Sequence, residues 1–298
     1  MKYKKKLVSV VHQVNKIYSK SNPSTYLKNF LNKKNVETFA KNRIDFFLKL
    51  KLTPKLFKDS DLLDLGCGTG QNSIAFSIME ANCTLIDYDK ESCDRANLVF
   101  KKFSKNKFKI IKSDIFKYKD NKKYDFVVSN GVAHHTKSSS KILNIACSKV
   151  KKNGFIIYGI ANQSGMFQRN LMRLILFSIS KNNNDIMHFA KVLFKDSIDR
   201  SIKFSGRSAE EIISDTFLNP KFSAVKPLSI LNTFNKYSID LYSSFPDFKD
   251  IETFINTEHM QFKLTNNKSK KIFNKDSIHL HDFQSLSLNK NKNKKDVI

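Results

Sequence analysis

The stretch "LLDLGCGTGQNS", Leu62 to Ser73, places three of the chain's eight glycines within five residues, directly behind an apolar run that ends in Asp64 and Leu65. An apolar strand that turns at once into a helix near Asn72 puts such a loop at the carboxyl edge of a sheet, where α/β proteins bind ligands. Glycine is required there for backbone angles that other residues resist and for close approach of a ligand to the main chain. A phosphate-binding loop would close with Gly-Lys-Ser/Thr, but Gln71 and Asn72 follow Gly70. A dinucleotide fingerprint would place its third glycine at position 71, one residue later than Gly70. The pattern that remains is GxGxG.

Outward from this loop, short apolar runs alternate with helical patterns: "DLLDL", "NSIAFSIMEA", "CTLID", "KESCDRANLVFKKF", "FKIIKSD", "YDFVVSN", "SKILNIACSKV" and "GFIIYGI". This alternation predicts right-handed βαβ crossovers and a doubly wound, mostly parallel, Rossmann-like α/β sheet covered by helices on both faces. The sheet core is expected over residues 59–160, within a domain spanning 59–263. Residues 1–58 precede it as a basic helical cap, in which Val36, Phe39, Ala40, Ile44, Phe47 and Leu48 recur at spacings of three and four. Residues 161–220 read as a helical lid or insertion after the fifth strand. Its apolar positions Met166, Phe167, Leu171, Leu174, Ile175 and Phe177 suit the core of that lid. A hydrophobic acceptor pocket or contact with an anionic membrane surface is the alternative use of them. Residues 264–298 form a polar, low-complexity tail, expected to be disordered at its end.

In this order the motifs resemble the class I S-adenosylmethionine-dependent methyltransferases over residues 58–165. "LLDLGCGTGQNSIAFS" resembles the family's first motif, which implies that Asp64, Gly66, Cys67, Gly68, Thr69, Gly70 and Asn72 receive the methionine portion of S-adenosyl-L-methionine. "CTLIDYDKES" resembles the second, implying that Asp87 holds the ribose hydroxyls and that Tyr88 lies beside the adenine. The spacing agrees, because an acidic residue about twenty positions past the glycines can accept from both vicinal hydroxyls. By the third motif, "FKIIKSDIF", Asp114 would accept from the adenine amino group and the backbone N–H of Ile115 would meet the ring. "YDFVVSNGVAHHT" resembles the fourth, which sets Asn130 and Gly131 beside the transferring methyl. "KKNG" replaces the more usual proline and paired glycines before the fifth strand, a departure confined to a turn.

The acceptor is less legible. Asn130-Gly131-Val132-Ala133 is not the Asn/Asp-Pro-Pro-aromatic loop of exocyclic-amine methylases of nucleic acids, and no Pro-Cys supplies a nucleophile for pyrimidine carbon methylation. The "GVAHHT" form instead resembles methylases often assigned to small molecules. His134 and His135, at the loop facing the methyl, are the candidate general bases; capping a helix or shaping the pocket is the alternative. His279 and His281 lack a partner for a metal, and none is expected.

The net charge of +26 raises the possibility of an RNA grip, and half of it lies in residues 1–58, with 15 basic and 2 acidic side chains. Only six of the cations are arginine, and the abundance of Lys, Asn, Ile and Phe equally fits an AT-rich coding sequence. No DNA-reading motif is present, and nothing specifies an oligomeric state. The four cysteines form no CxxC pair, and no apolar run reaches the roughly eighteen residues of a membrane span, so buried thiols and a cytoplasmic setting are expected. The sequence thus favours a methyltransferase acting on a small-molecule or lipid-like acceptor. An RNA methyltransferase and an inactive cofactor-binding partner subunit are the alternatives.

Overall fold

The computed structural model describes residues 30–161, 166–219, 225, 227–245, 260–262 and 282–288. The first helix, α1 (Lys33–Lys49), is capped by the Asn32 side chain, which accepts from Asn35 N. A short 3-10 turn at Pro54–Leu56 leads into the alternating core. That core comprises β1 (Asp61–Leu65), α2 (Ile74–Ile78), β2 (Asn82–Asp87), α3 (Lys90–Phe103), β3 (Phe108–Lys112), β4 (Tyr124–Asn130), α4 (Ser139–Lys149) and β5 (Val150–Ala161). The insertion follows as α5 (Phe167–Ile179), α6 (Asn183–Leu193), α7 (Lys195–Ser205) and α8 (Ala209–Ile213), which runs into a π-turn at Ser214–Leu218. Then come α9 (Pro227–Lys236), β6 (Asp240–Phe245), β7 (Met260–Phe262) and β8 (Asp282–Leu288).

Strands β3-β2-β1-β4-β5 lie side by side in that order and all pair in parallel. The order reverses between β1 and β4, and the crevice at that switch point is where an open α/β sheet accepts ligands. Beyond β5 the sheet continues through β8, antiparallel to β5, and β6, antiparallel to β8, while β7 pairs with β8 in parallel. The expected polar tail therefore contributes a strand: Asp282–Leu288 pairs with Phe155–Ala161 along the whole of β8. The sheet thus takes in a segment well past the boundary read at residue 263. His279, His281 and the basic residues 1–29 lie outside the described residues.

Alternation along β1 decides which side chains face which layer. Leu63 and Leu65 enter the core under α4 and α9, with Val127, Ile156 and Tyr158. Leu62 faces the opposite layer, where α1, α2 and α3 pack through Val36, Ala40, Phe47, Phe76 and Phe100. Asp64, two residues from Leu62, must point to the α1 side. Phe47 and Phe76 stack there at 4.8 Å, and Phe57 on Phe126 at 4.3 Å, which locks the cap onto the sheet. Leu48, read as part of the apolar stripe, instead faces solvent, while Leu50 and Leu52 just beyond the helix are buried.

The insertion has a core of its own, built from Leu176, Ile186, Ala190, Ile198, Ile213 and Phe217. Of the apolar positions expected to fill the lid core, only Met166, just before α5, is buried; the buried side chain within α5 is Leu176, which that reading did not include. Phe167, Leu171, Leu174, Ile175 and Phe177 are exposed, Phe167 at 71% and Leu174 at 67%. The physical reason lies in helix geometry. At 100° per residue, Phe167, Leu171, Leu174 and Ile175 share one arc of roughly 100°, opposite Leu176 and Arg173. The side turned to the protein carries Arg173, which donates to Thr216 O at 2.8 Å and Asn219 O at 3.0 Å.

Candidate functional site

The glycine loop is held by main-chain bonds to β2: Gly66 N and Cys67 N both donate to Ile86 O, at 2.8 and 3.0 Å. Gly66, Gly68 and Gly70 have φ of +88°, +54° and +74°. A Cβ on Gly66 would lie 2.5 Å from Val132 Cγ1, and one on Gly70 would lie 3.0 Å from Ala96 Cβ. Side chains are thus excluded at these two positions first by the protein itself, through the β4 loop and α3. Val132 keys the loop after β4 into the glycine loop. Gly131, also at positive φ, has open space where its Cβ would be.

Asp87 ends β2 and folds back over the loop, where Gly68 N donates to its Oδ2 at 2.8 Å and Asp89 N to its Oδ1 at 2.9 Å. Burial pushes this carboxyl above its ordinary range, against the pull of those two donors. Tyr88 beside it is exposed, Thr69 is buried with no hydrogen-bond partner for its Oγ1, and Cys67 is a buried thiol pushed upward by burial. At the end of β3, Asp114 Oδ1 accepts from Phe116 N at 2.9 Å, next to buried Ile115. The carboxyl ends of β1, β2 and β3 therefore carry Asp64, Asp87 and Asp114 in a row, as the motif order implies.

At the Asp64 end of this row is a cleft bounded by Asp64, Gly66, Cys67, Asn72 and Asn130, with Phe46, Phe47, Phe76, Val128 and Ile157 supplying apolar walls. Arg43, on α1, also lines it. Its Nε donates to Asn72 Oδ1 at 2.9 Å, and a second guanidinium nitrogen reaches the same oxygen. Asp64 accepts from Ser73 Oγ at 2.5 Å, yet burial, reinforced by the charge of Asp87, raises its carboxyl to about 7. An ionised carboxylate in so dry a place requires a cation, and the Arg43 guanidinium lining the same cleft can hold an anion. A zwitterionic amino acid fits this pairing of donors and acceptors. Arg43 is the cleft-lining residue that sequence reasoning did not single out. It sits in a segment read for overall charge, and the signal that could have found it is its rarity: one of six arginines among 47 lysines.

His134 and His135 lie in a short 3-10 turn, Ala133–His135, after β4. His134 is buried, with its ring centroid 4.1 Å from that of His135. His135 faces the insertion: Asn219 Nδ2 lies 3.0 Å from its Nδ1, and Asp215 Oδ1 lies 3.9 Å from its Nε2. Among the described residues, no group of three metal-ligating side chains converges, all four cysteines are buried and unpaired, and no helix is long and apolar enough to cross a membrane.

Residues 33–192 match the family model described as a methyltransferase domain. This chain belongs to the class I S-adenosylmethionine-dependent methyltransferases. Among relatives of this methyltransferase, the ubiquinone biosynthesis O-methyltransferase of Rickettsia typhi is 26% identical over 153 residues, covering 50% of this chain and 62% of that protein. The Pelagibacter ubique protein of the same name is 27% identical over 127 residues, 42% of this chain and 52% of its own. The methyltransferase thus spans less than two thirds of the relatives it matches. In fold it is similar to PKMT2 of Rickettsia typhi in complex with AdoHcy, with a TM-score of 0.57, 15% identity, and coverage of 82% of this chain and 51% of that one. Magnesium protoporphyrin IX methyltransferase of Synechocystis with bound SAH aligns over 95% of this chain and 94% of its own, with a TM-score of 0.51 and 11% identity.

Proposed function

We propose that this methyltransferase moves the methyl group of S-adenosyl-L-methionine to a small, lipid-like acceptor. The observation that carries the reading is the cleft lined by buried Asp64, the Arg43–Asn72 pair and apolar side chains. Asp64 would receive the cofactor's ammonium and Arg43 its carboxylate, with Gly66, Cys67, Gly68, Thr69, Gly70 and Asn72 lining the methionine end. Asp87 keeps lone-pair capacity beyond its backbone donors for the ribose hydroxyls. Tyr88 would cover the adenine, Asp114 accept from its amino group, and Ile115 N–H meet its ring. When bound, the cofactor supplies an activated methyl on a sulfonium leaving group. What this chain adds is orientation and a dry approach, with Asn130 and Gly131 bordering the methyl and open space at Gly131 for the incoming nucleophile.

The lipid-like character of the acceptor is supported from two sides. Relatives over half of this chain are ubiquinone biosynthesis O-methyltransferases. The outward face of α5 presents Phe167, Leu171, Leu174 and Ile175 on a segment with no acidic residue between positions 162 and 184. An apolar face on a basic helix suits collection of the acceptor at an anionic membrane surface. A cytoplasmic setting belongs to the same proposal.

Isothermal titration with S-adenosylmethionine tests the cofactor site. Wild-type protein is expected to bind with micromolar affinity, Asp87→Ala to lose binding, and Arg43→Ala to bind about 10- to 100-fold more weakly, the scale of one charged hydrogen bond. Undiminished binding by both variants would overturn the assignment.

A further inference from the structure

The two histidines after β4 invite the reading of a catalytic base, but the surroundings of His135 leave it no lone pair with which to act as one. An amide nitrogen can only donate, so Asn219 Nδ2, 3.0 Å away, takes the lone pair of Nδ1. The ring proton of neutral His135 then sits on Nε2, on the side of Asp215 Oδ1 at 3.9 Å. Both partners are themselves fixed. Asp215 Oδ2 accepts from Arg207 at 3.0 Å, and Arg173 grips the carbonyls of Thr216 and Asn219. The π-turn at Ser214–Leu218 lies at the centre of this arrangement, with Asp215 within it and Asn219 just after it. Its Phe217 anchors in the insertion's own core. Asn219 is completely buried, and the His135 side chain is only 12% exposed.

We infer that His135 is a positioning residue rather than a base: the Asn219 amide fixes its Nε2–H tautomer, with Asp215 on the Nε2 side, and this contact clasps the insertion to the loop that borders the methyl-transfer site. Buried polar contacts of this kind add little net stability, but they specify one arrangement, because any other leaves donors and acceptors unmatched. On the far side of the clasp, Val132 packs against Gly66. The insertion, the β4 loop and the glycine loop are therefore connected in series through His135 and Val132. The inference rests on residues 130–136 bordering the methyl, as proposed above.

The test is imidazole nitrogen NMR of the full-length protein above neutral pH, with His135 assigned by its loss in His135→Asn. The wild type is expected to show the Nε2–H tautomer at His135. Asn219→Asp, which keeps the shape but replaces the donor with an acceptor, is expected to move the proton to Nδ1 or to hold a second one on the ring. Hydrogen exchange on the same variant should show faster exchange at both residues 131–136 and 209–219, with β1–β3 unchanged. A wild-type Nδ1–H tautomer, or an unchanged imidazole pattern in Asn219→Asp, overturns the inference. So does loosening confined to the insertion. These failures would leave the cofactor site intact, whereas loss of the proposed function would appear as absent cofactor binding in the wild type.

Discussion

Asp64 occupies the position where burial and function pull hardest against each other. Its carboxyl is raised from 3.8 to about 7, chiefly by burial and then by the charge of Asp87, while Ser73 and Arg43 oppose the rise. A raised carboxyl means that the folded chain holds a proton the unfolded chain has released, so stability falls as pH climbs from about 4 to about 7. Asp87, also raised, contributes with the same sign. In the unliganded protein, Asp64→Asn is therefore expected to melt a few degrees higher than wild type at neutral pH and to flatten that slope, while binding the cofactor more weakly. Thermal melts across this window decide it, and identical pH slopes would contradict the account. Gly66 illustrates a different constraint. Gly66→Ala combines φ of +88° with a contact 2.5 Å from Val132, and is expected to destabilise the fold by about 2–4 kcal/mol in denaturant titrations. Asp64 and Asp87 were legible as strand-end positions because each lies at the end of an apolar run, and Asp114 because "FKIIKSDIF" follows in the order of the resembling motifs, although its strand is a half-buried edge. Arg43 was not, because its role depends on α1 lying across the carboxyl end of β1, a long-range fact that no local pattern encodes.

At the scale of elements, the same division holds. "KESCDRANLVFKKF" and "YDFVVSN" coincide with α3 and β4, since their periods of 3.6 and their continuous apolar run leave little freedom. Strand β8 was hidden in "DFQSLSL", three apolar residues among lysines and asparagines, because an antiparallel strand beyond β5 needs little hydrophobicity of its own when the sheet supplies the pairing. For helix α5 the lid-core reading failed while the outward-facing alternative stayed open, for a related reason: periodicity reveals that a helix has an apolar face but not what that face meets. Exposed Leu171 and Leu174 give the expected outcome for vesicle flotation. The wild type should float with vesicles containing anionic lipid and less with neutral ones, and the Leu171→Glu, Leu174→Glu double variant should remain in solution without losing cofactor binding. Equal flotation of variant and wild type would remove α5 from the interface.

Across the whole molecule, the parallel five-strand sheet and the family match make the donor side of the chemistry secure, while the acceptor side depends on elements outside that common core. The charge of +26 is compatible with an anionic membrane surface or with RNA, and the two differ in where a transferred methyl ends up. The most direct measurement is incubation of the full chain with methyl-labelled S-adenosylmethionine and a fractionated cell extract that includes membranes. The account predicts label in the organic-soluble small-molecule fraction, absent when Asp87→Ala replaces the wild type. Label recovered in RNA or protein, or no wild-type transfer to any fraction, would contradict it.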